Sequence, residues 1–64
     1  MLEVKKTGKN NYGYWAYGTL KYNGLEIRDI FTINKEVEIG QSYKVQYMIC
    51  YRTKKDSLRF KIDL

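Results

Sequence analysis

The chain has 64 residues, with twelve Lys and Arg against seven Asp and Glu, no His and a formal net charge of +5. So short a chain makes one small domain with little surplus stability, and its positive field favours an anionic partner, either nucleic acid or an acidic protein surface. Without His and with a single cysteine, Cys50, there is no Ser–His or Cys–His nucleophilic set and no zinc-ligand cluster. No enzyme, cofactor or metal is therefore expected.

Leu2-Glu3-Val4-Lys5-Lys6 alternates apolar and charged residues, which reads as a short strand with Leu2 and Val4 inward. Residues 7–11, Thr-Gly-Lys-Asn-Asn, read as a polar turn. Residues 12–22 hold five of the ten aromatics, the only Trp and no proline, and read as one long strand. Its even face is Tyr12, Tyr14, Ala16, Gly18, Leu20 and Tyr22; its odd face is Gly13, Trp15, Tyr17, Thr19 and Lys21. Gly18 predicts a bulge or bend at which the inward face changes phase. Asn23-Gly24 predicts a type I′ hairpin turn. The strand that follows, 25–33, carries Leu25, Ile27, Phe31 and Ile33 on one face, interrupted only by Asp29.

Residues 34–42 form a connection with a small Val37/Ile39 alternation, and Gly40 turns the chain out of it. Strand 43–52 places Tyr43, Val45, Tyr47, Ile49 and Tyr51 on one face, favoured for core or sheet packing, and Lys44, Gln46, Met48, Cys50 and Arg52 on the other. Thr53-Lys54-Lys55-Asp56 is a charged hairpin turn. The last strand sets Leu58, Phe60, Ile62 and Leu64 against Arg59, Lys61 and Asp63.

No segment shows a capped amphipathic helix, so residues 1–64 are expected to form one all-β domain. Strands joined mostly by hairpins hide their edges by closing or pairing. The expected architecture is a small, five-stranded, strongly bent barrel of OB-fold type; an SH3-like barrel, or a meander pairing into a dimer, is the alternative. No apolar run is long enough for a secretory leader or a membrane span, so a cytoplasmic protein is expected, with Cys50 as a small core or sheet residue in a reducing compartment.

Single-stranded nucleic acid is held by a basic groove for the phosphates and aromatic faces for the bases. The candidate residues are Trp15, Tyr17 and Lys21 on one face of the aromatic strand, Arg28 on its hairpin partner, Arg59 and Lys61 on the last strand, and Lys54 and Lys55 on the hairpin turn. Lys5, Lys6 and Lys9 add charge near the N-terminus. Trp15 fits a surface platform and a core residue equally well. The combination of small size, all-β patterning, 16% aromatic content and basic charge resembles the small OB-fold single-stranded DNA-binding proteins of phages and plasmids. That resemblance implies sequence-tolerant ssDNA binding, often by a homodimer, in replication or recombination. It carries no position-by-position assignment. The second reading is a phage- or plasmid-type protein-binding module, such as an inhibitor of a host protein, with aromatic hot spots or an added strand.

Overall fold

The proline-free aromatic run and the apolar row after Asn23-Gly24 pair as the central hairpin, in a computed structural model that describes residues 1–64. The strands are β1 (Leu2–Asn10), β2 (Gly13–Tyr22), β3 (Leu25–Ile33), β4 (Ser42–Tyr43), β5 (Tyr47–Arg52) and β6 (Leu58–Asp63), with no helix. The β2–β3 register runs from Tyr14 opposite Ile33 to Tyr22 opposite Leu25. Positive φ at Asn23 (49°) and Gly24 (82°) closes the turn as the Asn-Gly pair requires.

The strands form one curled sheet in the order β4-β1-β2-β3-β6-β5. Neighbours are antiparallel except β3 and β6, which run parallel through Phe31–Phe60 and Ile33–Ile62. The two edge strands, β4 and β5, are separated in sequence only by residues 44–46. Taken as one interrupted strand, they give the connectivity of a five-stranded OB-type barrel, present here as a strongly curled half-barrel with no ladder between its two edges. The parallel pair separates this order from the SH3-like and meander alternatives, in which neighbouring strands are antiparallel.

The expected strand 43–52 is therefore broken, for a reason of phase. Val45 is buried at the break. Beyond it Met48 packs against the core, while Tyr47, Ile49 and Tyr51 point outward and are exposed. Three residues outside the ladder let the inward face pass from odd to even positions, so Tyr47 and Tyr51 do not join the core as expected. Cys50 is a sheet residue, as expected, but an exposed one.

β2 keeps a single phase, with Ala16, Gly18 and Leu20 all buried. The bulge expected at Gly18 lies instead on its partner: the β1 register slips between Val4, opposite Gly18, and Lys6, opposite Tyr17. A Cβ on Gly18 would sit 1.9 Å from the Glu3 carbonyl oxygen, so only glycine lets β1 approach β2 this closely. Beyond the bulge β1 runs on to Asn10 through the segment expected to be a turn. The actual turn is tighter, with the Tyr12 N–H donating to Asn10 Oδ1 at 2.9 Å.

Leu2, Val4, Ala16, Leu20, Phe31, Ile33, Phe60 and Ile62 supply the inward face, and Val37 and Val45 close over it from the 34–46 connection. Phe31 and Phe60 meet with ring centroids 5.7 Å apart and planes tilted by 55°, a geometry worth about 1 kcal/mol beyond the area it buries. Leu25 and Leu58, expected inward, are half-exposed because the connection does not cover that end of the sheet. No helix is long and apolar enough to cross a membrane.

The close approach at Gly18 makes a direct prediction. Gly18→Ala forces the Glu3 backbone away from β2 and should lower unfolding stability by about 3 kcal/mol or more, read as the midpoint and slope of urea denaturation. An unchanged midpoint would show that the two backbones are not in contact.

Candidate nucleic-acid interface

Alternation that sends Ala16, Phe31 and Phe60 inward must send their neighbours outward. The outer face of β2, β3 and β6 therefore carries Trp15, Tyr17, Lys21, Arg28, Arg59 and Lys61, all on the same side of the sheet. The ladder places them in rows. Trp15 lies opposite Thr32, Thr32 beside Lys61, and Lys61 opposite Ile49. Trp15 and Lys61 are thus two strand spacings apart, about 10 Å. In the next row Lys6 faces Tyr17, Tyr17 faces Ile30, and Arg59 faces Tyr51.

A groove of about 1110 Å³ opens along this face, lined by Trp15, Ile30, Thr32, Tyr51, Arg59 and Lys61, and reaches round the end of the sheet to Tyr14, Ile33 and Phe60 of the inward face. Its two ends are the β1–β2 turn, with Asn10, Tyr12 and Gly13, and the start of the β5–β6 turn at Thr53. Tyr12 is almost fully exposed, at 91%, so a second ring stands free at the groove mouth. Asp63 is the one acid in the lining.

Trp15 owes its posture to its cross-strand partner, Gly8. A Cβ on Gly8 would stand 2.7–2.9 Å from the Cζ2, Cε2 and Nε1 atoms of the indole. The ring thus lies down on bare backbone, and the residue is neither buried nor fully exposed. That arrangement removes the choice between core and surface: Trp15 is outside the core, and its indole is held by contact on one side.

The structure divides the remaining sequence-derived candidates. Trp15, Arg59 and Lys61 meet in the groove. Tyr17 is on the same face, one row along, and does not line it. Arg28 pairs with Thr19 and Lys21 with Glu26, which puts them roughly 13 and 20 Å along the strands from Trp15, toward the β2–β3 turn. Lys54 and Lys55 sit on the exposed β5–β6 turn beside Thr53. Lys9 is turned over the Tyr14 ring, with Nζ 5.4 Å from its centroid.

Sequence reasoning missed Tyr51, Ile30 and Thr32. The last two were legible as outward residues of the β3 alternation, whereas Tyr51 was not, because its face depends on the break at residues 44–46. Charge on this side is largely free. The ion pairs are Lys5–Glu3 at 3.5 Å and Arg52–Asp56 at 3.1 Å, so the other ten Lys and Arg have no carboxylate partner.

No protein-family model matches the chain, nor does any curated protein or solved structure. The functional reading therefore stands on the geometry and chemistry of this face.

The Gly8–Trp15 contact can be tested without any ligand. Gly8→Val suits a strand yet fills the space under the indole. Trp15 emission should move to longer wavelength and become more open to acrylamide quenching, with the far-UV circular dichroism unchanged. Identical emission in the variant would mean the ring does not rest on Gly8.

Proposed function

We propose that this protein binds single-stranded nucleic acid, ssDNA foremost, without catalysing a reaction on it. The observation that supports this reading is the groove itself: a partly buried Trp15 laid on Gly8, with Lys61 two strands away in the same row, Arg59 and Tyr51 one row along, and Tyr12 at the groove mouth. A base can stack on the indole while the phosphates pass the two cations, a division of labour that tolerates any sequence. In OB-type barrels the ligand face is the second and third strands with the two flanking loops. Here the groove is lined from β2, β3, β5 and β6, with the 10–13 turn at one end and Thr53, at the start of the β5–β6 turn, at the other. No helix is available to enter a major groove, which favours a single strand over duplex. A cytoplasmic setting suits the exposed thiol of Cys50, which a reducing compartment keeps free. In type it corresponds to the small ssDNA-binding proteins of phages and plasmids.

The test is titration with oligo(dT) at low and high salt. Trp15 fluorescence should quench on binding and recover as salt displaces the strand. Read by the anisotropy of a labelled oligonucleotide, Trp15→Ala should weaken binding by ~1–3 kcal/mol, the worth of one stacked base, with the fold intact. Lys61→Ala should weaken it more evenly and reduce the slope of log K against log salt by ~0.7, the share of one phosphate contact on a single strand. Absence of binding at low salt, or an unchanged affinity in Trp15→Ala, would overturn the assignment.

A further inference from the structure

The sheet has two stretches of open edge, and they are built differently. Beyond its short pairing with β4, residues 5–10 of β1 have no neighbour on their outer side. That stretch carries Lys5, Lys6, Lys9 and the bulge, the devices by which natural sheets discourage edge pairing. β5 is the other open edge, paired with β6 alone. Its sequence, Tyr-Met-Ile-Cys-Tyr-Arg, has no proline, no bulge in its pairing and no charge before Arg52. Tyr47, Ile49 and Tyr51 stand 55%, 42% and 42% exposed on its outer side. An uncharged, β-favouring edge with unpaired backbone groups is a template for another strand.

We propose that the strand it takes is β5 of a second copy, antiparallel, about a two-fold axis through Ile49. Opposed residues in an antiparallel pair share a face, so the self-pairing registers can be enumerated. Centred on Ile49, the outer side sets Tyr47 opposite Tyr51 of the partner subunit, Ile49 opposite Ile49 of the partner subunit, and Tyr51 opposite Tyr47 of the partner subunit. The inner side sets Met48 opposite Cys50 of the partner subunit. Aromatic–aromatic and aliphatic cross-strand pairs are the favourable ones, and no like charges meet. Centring on Cys50 or Met48 leaves no Tyr–Tyr pair, and centring on Tyr47 or Tyr51 keeps one on the axis but pairs at most three residues of the strand. A self-complementary strip of this kind is what a closed two-fold interface requires. Two copies at +5 each still repel at long range, but in this register Arg52 falls opposite Gln46 of the partner subunit, so no like charges meet at the contact. The pairing does not rest on the nucleic-acid reading, and it joins the outer faces of two copies into one surface.

Sedimentation equilibrium of nucleic-acid-free protein in high salt should give twice the chain mass of 7.7 kDa. Ile49→Lys sets two ammonium groups against each other on the axis and should yield monomer, with unchanged far-UV circular dichroism. Ile30→Lys adds the same charge to the same face on β3, away from the edge, and should stay dimeric. A short bis-maleimide should link two chains through Cys50, the sole cysteine, at micromolar protein; this measurement needs no variant to fold. A monomeric wild type, a dimer surviving in Ile49→Lys, equal disruption by Ile30→Lys, or absence of the cross-link would each overturn the proposal.

Discussion

The close approach of β1 to β2 at Gly18 governs the rest of the molecule. Because no side chain stands there, the Glu3 backbone can approach to a distance that a Cβ would forbid. The extra residue of the bulge then shifts β1 by one position, and the consequences run outward along the strand. Before the bulge Leu2 and Val4 are buried. After it the pairing gives Lys6 to Tyr17 and Gly8 to Trp15. An unbroken register would have set Thr7 under the indole instead. One missing side chain thus bends the sheet, keeps the core continuous, and places a second glycine where an aromatic ring can lie flat.

Stability and proposed function are kept largely on opposite sides of the same strands, meeting at Ile33 and Phe60. All ten buried apolar side chains belong to the inward face or to the connection that covers it. That connection is fastened at several points: the Val4 N–H donates to the Gln41 carbonyl at 3.0 Å, the Gly40 N–H to the Val4 carbonyl at 2.9 Å, and the Glu38 N–H to Tyr43 Oη at 2.9 Å. The outer face contributes little to this core, so its rings and cations are free of packing duties. Each large apolar side chain fully buried inside supplies roughly 1.5–3 kcal/mol; Trp15, Ile30, Arg59 and Lys61 stand outside that sum, whereas Ile33 and Phe60 belong to both the core and the groove lining.

How far the chain could be read from its sequence follows from what period-two alternation encodes. Alternation says which residues share a face. It does not say which face is inward, and it cannot see a change of phase. Strands β2, β3 and β6 each keep one phase, so the residues sharing each face and the hairpin between β2 and β3 were legible. That Trp15 lies on the same outer side as Arg59 and Lys61 was not, because alternation left Trp15 between core and surface and Gly18 read as a change of phase that β2 does not make. The segment 43–52 changes phase at Lys44, Val45 and Gln46 without a glycine or proline to announce it, and Tyr47 and Tyr51 were assigned to the wrong side as a result. Thr7, Gly8 and Asn10 read as a turn because their residue types are turn-formers. In the fold their place is set by long-range pairing with β2, which local composition does not carry. The parallel contact of β3 with β6 joins residues about thirty apart in sequence and left no mark on either strand alone.

The broken strand at residues 44–46 has a mechanical consequence. A closed barrel is normally held around its whole girth by hydrogen-bonded ladders. Here the circuit is completed partly by covalent chain, with only Ser42 and Tyr43 laddered to β1 and the Gln46 N–H reaching the Asp63 carbonyl at 2.9 Å. Strain applied across the girth therefore concentrates at this seam, the stretch of the circuit with the fewest ladder hydrogen bonds. The groove floor spans β3 and β6, whose parallel ladder is three residue pairs long. The seam acts as the clasp that sets how far apart its walls stand.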